Sequence, residues 1–135
     1  MRQVRVLLVE DNPHVADLIT DGLEGAARRA LKGTVSFDFE VRSDGQAGLA
    51  RLREAPPDLV ILDVYMPIMD GAQLLRHLRA LDAGAQLPVI ALSAGGPGAR
   101  ESALQAGANI FFDKPIRLAE VFQAVVDLLK LQPAA

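Results

Sequence analysis

Five short apolar runs alternate with five longer segments of helical periodicity, and this alternation constrains the fold more than any other feature of the sequence. The runs at 59–62 and 89–92 are continuous and aliphatic, and the run at 4–9 is aliphatic apart from Arg5, which is typical of strands buried on both faces. Strands separated by helices are joined by right-handed crossovers, which place helices on both faces of a parallel sheet. The sequence therefore predicts an α/β fold with a doubly wound parallel sheet of five strands.

The other two strands are predicted at 35–41 and 109–112. Residues 35–41 alternate strictly between apolar and polar types, which indicates a half-buried strand at a sheet edge. Its expected inward residues are Val35, Phe37, Phe39 and Val41.

Helical periodicity occupies the segments between the strands and after the last one. Helices are predicted at 13–31, 46–53, 71–81, 99–106 and 118–129. Gly22 and Gly25 weaken the first helix and would allow a kink or an early end. Gly95, Gly96 and Gly98 offer no good helix start, so we expect the fourth helix to be displaced or mobile.

The composition indicates one ordinary globular domain. A chain of 135 residues fits a single core, and we expect a domain over 1–131 with a tail or the start of a linker at 132–135. The formal charge of −3 and the lack of a helix-turn-helix after the last helix argue against nucleic-acid contact by this domain. The apolar run at 4–9 is too short for a signal peptide or a membrane span, so a cytoplasmic location without membrane contact is expected.

Charged and polar side chains follow the apolar strands, where each strand ends. Glu10 and Asp11 follow the first strand, Asp63 the third, Ser93 the fourth and Lys114 the fifth. Ligands of doubly wound sheets bind outside the carboxyl ends of the strands, so these residues are expected to converge.

The chemistry of this set points to phosphoryl transfer. Adjacent carboxylates repel one another, and Mg²⁺, which prefers oxygen ligands, relieves that repulsion. A carboxylate such as Asp63 can accept a phosphoryl group as an aspartyl phosphate. Lys114 and the Ser93 hydroxyl can then bind phosphoryl oxygens. Each residue also has a plainer interpretation: Asp11 as a helix cap before Pro13, Ser93 as a loop residue, and Lys114 as a solvated lysine.

Four motifs resemble those of the response regulator receiver family of bacterial two-component signalling. They are Val-Glu-Asp-Asn at 9–12, Leu-Asp-Val-Tyr-Met-Pro-Ile-Met-Asp-Gly at 62–71, Ser-Ala at 93–94 and Lys-Pro at 114–115. The resemblance covers the whole chain and implies a flavodoxin-like sheet of strand order 2-1-3-4-5. It also implies that Asp63 is the phosphoacceptor.

The resemblance assigns the remaining site residues as well. Asp11 and Asp63 would bind Mg²⁺ directly, the Tyr65 backbone carbonyl would be a further ligand, and Glu10 would act through a metal-bound water. Ser93 would be the switch hydroxyl, and Lys114 would bind the phosphoryl group and precede a cis peptide bond to Pro115. Phe111 would be the aromatic switch residue, which turns inward as Ser93 moves; a core aromatic is its plainer interpretation.

A receiver is a signalling switch and not an enzyme with a released product. The resemblance implies a histidine kinase or histidine phosphotransfer protein as donor, an unknown downstream protein partner, and, as an option left open, a homodimer through the fourth helix, fifth strand and fifth helix. The stretch between Asp11 and Asp63 is longer than the family's usual spacing, with the excess near 24–36, in the first helix or its loop.

Two other functions are compatible with parts of the pattern. A receiver-like module could bind partners without phosphorylation, although the full set of site residues argues against this. A Mg²⁺-dependent phosphatase with an aspartyl nucleophile usually has a second acid two residues after the nucleophile. Tyr65 occupies that position, so this alternative is weaker.

Overall fold

The five predicted strands form one parallel sheet in a computed structural model, which describes residues 2–65, 69–95 and 98–132. The strands are β1 (Arg2–Val9), β2 (Val35–Arg42), β3 (Leu59–Asp63), β4 (Val89–Ser93) and β5 (Ile110–Asp113). Their order is β2-β1-β3-β4-β5, so the predicted flavodoxin-like order is confirmed. Met66, Pro67, Ile68, Gly96, Pro97 and the tail from 133 lie outside the described residues.

Five α-helices connect and cover the strands. They are α1 (Pro13–Ala30), α2 (Gly45–Glu54), α3 (Gly71–Ala80), α4 (Ala99–Ala106) and α5 (Leu118–Leu129), with a 3₁₀ turn at Asp82–Gly84. Helices α2, α3 and α4 contribute to the core on one face of the sheet, and α1 and α5 to the core on the other face. Among the described residues, no helix is both long and apolar enough to cross a bilayer.

The early end that Gly22 and Gly25 would allow in α1 does not occur, since α1 continues for 18 residues. Ile19, Leu23 and Ala27 are buried along one of its faces, and this burial outweighs a glycine cost of about 1 kcal/mol per residue. Gly22 also has a packing reason, because a Cβ atom there would collide with the Leu118 side chain of α5.

The expected inner face of β2 is correct only at its beginning. Val35 and Phe37 are buried and Phe39 is half-buried, but Val41 is 41% exposed. An edge strand has a sheet neighbour on one side only, so parts of it stay in contact with solvent even where the alternation continues.

Candidate functional site

The carboxyl ends of the central strands bring three buried polar side chains together at one edge of the sheet. Glu10 directly follows β1, Asp63 ends β3 and Ser93 ends β4. Their residues are 2%, 5% and 0% exposed, and they are the only buried polar or charged residues in the described ranges. Burying a carboxylate costs free energy, and acidic residues are seldom buried without a partner or a function. We therefore take this cluster as the candidate site.

Lys114 joins the two buried acids. Its ammonium donates to Glu10 Oε1 at 2.8 Å and to Asp63 Oδ2 at 2.9 Å. The second oxygen of each acid accepts a backbone N–H, from Asn12 at 3.1 Å for Glu10 and from Tyr65 at 3.0 Å for Asp63. The peptide bond between Lys114 and Pro115 is cis, as predicted.

The charges of this cluster depend on one another. Burial raises the pKa of Glu10, although the hydrogen bond from Lys114 acts in the opposite direction. For Lys114, burial alone would lower the pKa, but the hydrogen bonds and charges of Glu10 and Asp63 together raise it. The lysine therefore stays protonated at neutral pH and compensates charge that would otherwise be costly to bury.

The site also has an acid that faces solvent. One carboxylate oxygen from each of Glu10, Asp11 and Asp63 lies within 4.8 Å of the others, and Asp11 is exposed. Three oxygen donors this close suit a hard divalent cation such as Mg²⁺. Both oxygens of Glu10 and both oxygens of Asp63 already accept hydrogen bonds, so the exposed Asp11 is the acid most accessible to a cation.

Ser93 is held at the end of β4 next to the end of β5. Its Oγ accepts the Gly95 N–H at 2.9 Å, and its carbonyl accepts the Lys114 N–H at 2.9 Å. Because the hydroxyl oxygen acts as an acceptor from Gly95, its own proton is available for donation to an incoming oxygen.

The segment after Asp63 is shaped by close backbone packing. The Gly71 N–H donates to the Val64 carbonyl at 2.8 Å, and a Cβ atom at 71 would lie 2.7 Å from Asp63 O. Glycine at 71 therefore lets α3 begin directly against the end of β3. Tyr65 is 57% exposed, and its ring packs against the Gly95 backbone across the two loops.

The helix cap before Pro13 is Asn12 and not Asp11, since Asn12 Oδ1 accepts the N–H groups of His14 and Val15. Asp11 is thereby left free of the capping role. Phe111 is already buried, at 5% exposure, so a switch would have to start from a buried ring; its role stays a prediction.

Sequence reasoning missed Arg79, which donates to the carbonyls of Gly84 and Leu87 and to that of Gly107, 28 positions away in the chain. An arginine near the end of an amphipathic helix looks like a solvated residue, and no local signal distinguishes it. Asn12, by contrast, could have been recognised, because Asn before Pro is a common start of a helix.

Strand order and site together define the class: a doubly wound α/β domain with an acid cluster, a lysine and a hydroxyl at its topological switch point. Comparison with known proteins agrees with this class. The family description "Response regulator receiver domain" matches residues 6–126. The chain therefore belongs to the response regulator receiver family, whose domains are regulatory and act in phosphorylation-controlled signalling.

Individual relatives differ in length from this chain. It is 30% identical to the chemotaxis protein CheY of Halobacterium salinarum, with 93% of this chain and 96% of that protein covered. It is 35% identical to the transcriptional regulatory protein PrrA of Mycobacterium leprae, over 96% of this chain and 52% of that protein. The chain spans about half or less of the length of the first curated relatives it matches.

Solved structures show the same architecture. The receiver domain of the sensor histidine kinase PA1611 from Pseudomonas aeruginosa has a TM-score of 0.82 and 29% identity, covers 95% of this chain and 98% of that one, and has a magnesium ion coordinated in its active-site cleft. A response regulator from Chloroflexus aurantiacus has a TM-score of 0.84 and 26% identity, covering 96% of this chain and 99% of that one.

Proposed function

We propose that Asp63 accepts a phosphoryl group from a histidine kinase or histidine phosphotransfer protein, and that the aspartyl phosphate changes an output surface of this chain. The observation that carries the proposal is the Lys114 ammonium, which contacts Asp63 and Glu10 where the central strands end. In the transfer, the phosphorus–nitrogen bond of the donor breaks as phosphorus bonds to an Asp63 oxygen, and the imidazole keeps the electron pair. Residues 1–131 would form the receiver unit.

Each site residue has a role in this proposal. Lys114 neutralises the phosphoryl charge, and the Ser93 hydroxyl donates to a phosphoryl oxygen. Asp11 and Asp63 would hold Mg²⁺ directly, with the Tyr65 carbonyl as a further ligand and Glu10 acting through water. When bound, the cation supplies further charge neutralisation at the phosphoryl oxygens.

The surface beside the site suits a protein donor. An apolar cleft next to Lys114 is lined by Val15, Leu18, Ala94, Pro115 and Ile116. Leu18 is 54% exposed on α1 and belongs to this apolar patch, and contiguous apolar patches on a protein surface mark sites of protein–protein interaction. A donor helix seated there would bring its phosphohistidine to Asp63.

The output change would pass through Ser93 and Phe111 to the surface of α4, β5 and α5, where an unknown downstream protein or a second copy of the chain would bind. Converting a mostly inactive population into a mostly active one takes about 5.5 kcal/mol of differential interaction. Charge-assisted hydrogen bonds of about 1.5–3 kcal/mol each from Lys114 and Ser93 can supply much of this.

Intact mass spectrometry after incubation with acetyl phosphate tests the phosphoacceptor. We expect one phosphoryl adduct on the wild type in the presence of Mg²⁺, and none on Asp63→Asn or after chelation. Asp82→Asn is the matched control, because Asp82 is an exposed acid in the 3₁₀ turn outside the site. Absence of an adduct on folded wild type would favour a receiver that binds its partners without phosphorylation.

Donor docking has a separate test. Leu18→Asp should slow transfer from the fastest donor in a panel of phosphorylated histidine kinases, but leave labelling by acetyl phosphate unchanged. Leu104→Asp is the control, since Leu104 is an exposed leucine on α4. Equal slowing by both substitutions would remove the support for docking at the α1 cleft.

A further inference from the structure

Arg79 is a cation whose partners are almost all backbone carbonyls. It lies in the last turn of α3, and none of its described partners is an acid. Burial lowers its pKa, but arginine remains charged at neutral pH. A partly buried guanidinium that gives up water for carbonyl groups fixes the positions of those groups relative to one another.

The guanidinium joins three segments that are separate in the chain. Its Nε and Nη2 donate to the Gly107 carbonyl at 3.1 and 2.7 Å. Its Nη1 donates to the carbonyls of Gly84 and Leu87 at 2.8 and 2.6 Å, and Nη2 also reaches Asn109 Oδ1 at 3.1 Å. The end of α3, the approach to β4 and the turn after α4 are therefore tied to one side chain.

The turn after α4 has a glycine where Arg79 packs against the backbone. Gly107 has a φ of 117°, which only glycine adopts without strain, and a Cβ atom there would lie 2.9 Å from Arg79 Cγ. The Ala108 N–H closes the helix on the Ala103 carbonyl at 3.0 Å. Asn109 Oδ1 also accepts the Val89 N–H at 2.8 Å, which extends the connection into β4.

The other end of α4 is held much less firmly. Its N-cap is Gly98, with a φ of 90° and no side-chain capping bond. The buried face of the helix consists of Ala99, Ala103 and Ala106, whose methyl groups bury little apolar surface. This weakly held end is the one that follows Ser93 in the chain.

We propose that Arg79 anchors the C-terminal end of α4, so that α4 responds to the phosphorylation site by pivoting about Gly107. The pivot rests on the function proposed above, whereas the anchor does not. Displacement is then largest at the Gly98 end of the helix and smallest at 107–109, so a signal at Ser93 moves one end of the output helix without detaching the other.

Amide hydrogen exchange by NMR tests both parts. In the wild type, the Gly107, Ala108 and Asn109 amides should exchange more slowly than those of Ser102 and Ala103. Arg79→Met should accelerate exchange at 107–109 by about tenfold or more, because each lost charge-assisted hydrogen bond corresponds to at least that factor. Arg76→Met, an exposed arginine on the same helix, is the matched control and should leave these amides unchanged.

Beryllofluoride with Mg²⁺, as a phosphoryl mimic, tests the pivot. It should change exchange at Ser102 and Ala103 in the wild type while 107–109 keep their protection, and Arg79→Met should still form the acetyl phosphate adduct at the wild-type level. If Arg79→Met does not fold, Arg79→Lys keeps the charge but loses the forked contacts, and it should also accelerate exchange at 107–109.

Unchanged exchange at 107–109 in the folded Arg79 variant would overturn the anchor. A mimic-induced change at 107–109 as large as that at Ser102 and Ala103 would overturn the pivot. If the wild type forms no phosphoryl adduct, the proposed function fails. The anchor is then tested separately, by the slower amide exchange at 107–109 than at Ser102 and Ala103 and by the loss of this difference in the Arg79 variant.

Discussion

Helices α3 and α4 follow the two strands that carry Asp63 and Ser93, yet the protein holds them in different ways. Helix α3 begins with a capping box: Asp70 Oδ1 accepts the Gln73 N–H at 2.9 Å, and Gln73 Oε1 accepts the Asp70 N–H at 3.1 Å. Helix α4 has Gly98 as its N-cap and no side-chain capping bond.

The buried faces of the two helices differ in the same direction. Helix α3 buries Leu74, Leu75 and Leu78 completely, whereas the buried face of α4 consists of alanines. The helix that follows β3 is thus fixed along its length, and the helix that follows β4 is fixed mainly at one end. Local stability follows buried apolar area, so α4 is the element that a change at the site can move at least cost.

The largest effect is expected from shortening a buried leucine of α3, and an exposed leucine of α4 provides the comparison. Leu74→Ala should lower the free energy of unfolding by about 2–5 kcal/mol, because it opens a cavity in a fully buried layer. Leu104→Ala on α4 should change it by at most about 0.5 kcal/mol, since Leu104 is 39% exposed. Urea denaturation measures both, and similar losses would contradict the contrast between the helices.

Alanine at the two glycines that bound α4 should show which end is held. Gly107→Ala should cost about 2 kcal/mol or more, because the left-handed backbone is strained and the new methyl group meets Arg79. Gly98→Ala should cost only about 1 kcal/mol, from the backbone alone, since no atom of the described residues lies within 4 Å of its Cβ position. Thermal unfolding monitored by circular dichroism gives the order, and the reverse order would place the anchor at the wrong end.

The cap of α3 should contribute a smaller amount. Asp70→Ala should lower the free energy of unfolding by about 1 kcal/mol, because the Gln73 N–H loses its acceptor. Gln73→Ala, which removes the reciprocal bond, serves as the comparison and should cost less. Chemical denaturation resolves the difference, and no loss with either substitution would show that α3 owes its rigidity to its leucines alone.

The smallest effect is expected at the start of α4. Glu101 is the acidic residue in its first turn, whereas α3 has none there. Glu101→Gln should cost about 0.3–0.5 kcal/mol at low ionic strength through the helix dipole, and the cost should vanish in high salt. Denaturation curves at two salt concentrations test this, and a salt-independent loss would point to a specific contact of Glu101 instead.

Most of the fold could be predicted from local pattern. Strands β3 and β4 are buried on both faces, so their sequences are aliphatic up to the polar residue at each carboxyl end. The positions of the helices follow from the helical periodicity of their apolar residues. Glu10, Asp63, Ser93 and Lys114 could be selected because parallel strands bring their carboxyl ends to one edge. Their assigned chemical roles came from the family resemblance and stay proposals.

Other features depend on contacts between residues that are distant in the chain, and a short stretch of sequence does not contain both residues of such a contact. Gly107 is 28 positions from Arg79, and Glu10 is 104 positions from Lys114, so neither contact leaves a trace in the pattern around it. The continuity of α1 through Gly22 and the exposure of Val41 also depend on what packs nearby. Helix propensity and the alternation of apolar and polar residues indicate which face of a segment can be buried, but they do not identify the segment that packs against it.

The sequence by itself thus determined the elements, the parallel direction of the strands and the edge at which charged groups collect, because these follow from backbone periodicity and strand direction. The order of the strands was implied by the family resemblance. Only the tertiary structure decided which charges pair and that α4 is held at its C-terminal end. These outcomes are set by distances between side chains far apart in the chain, and such distances exist only once the chain has folded.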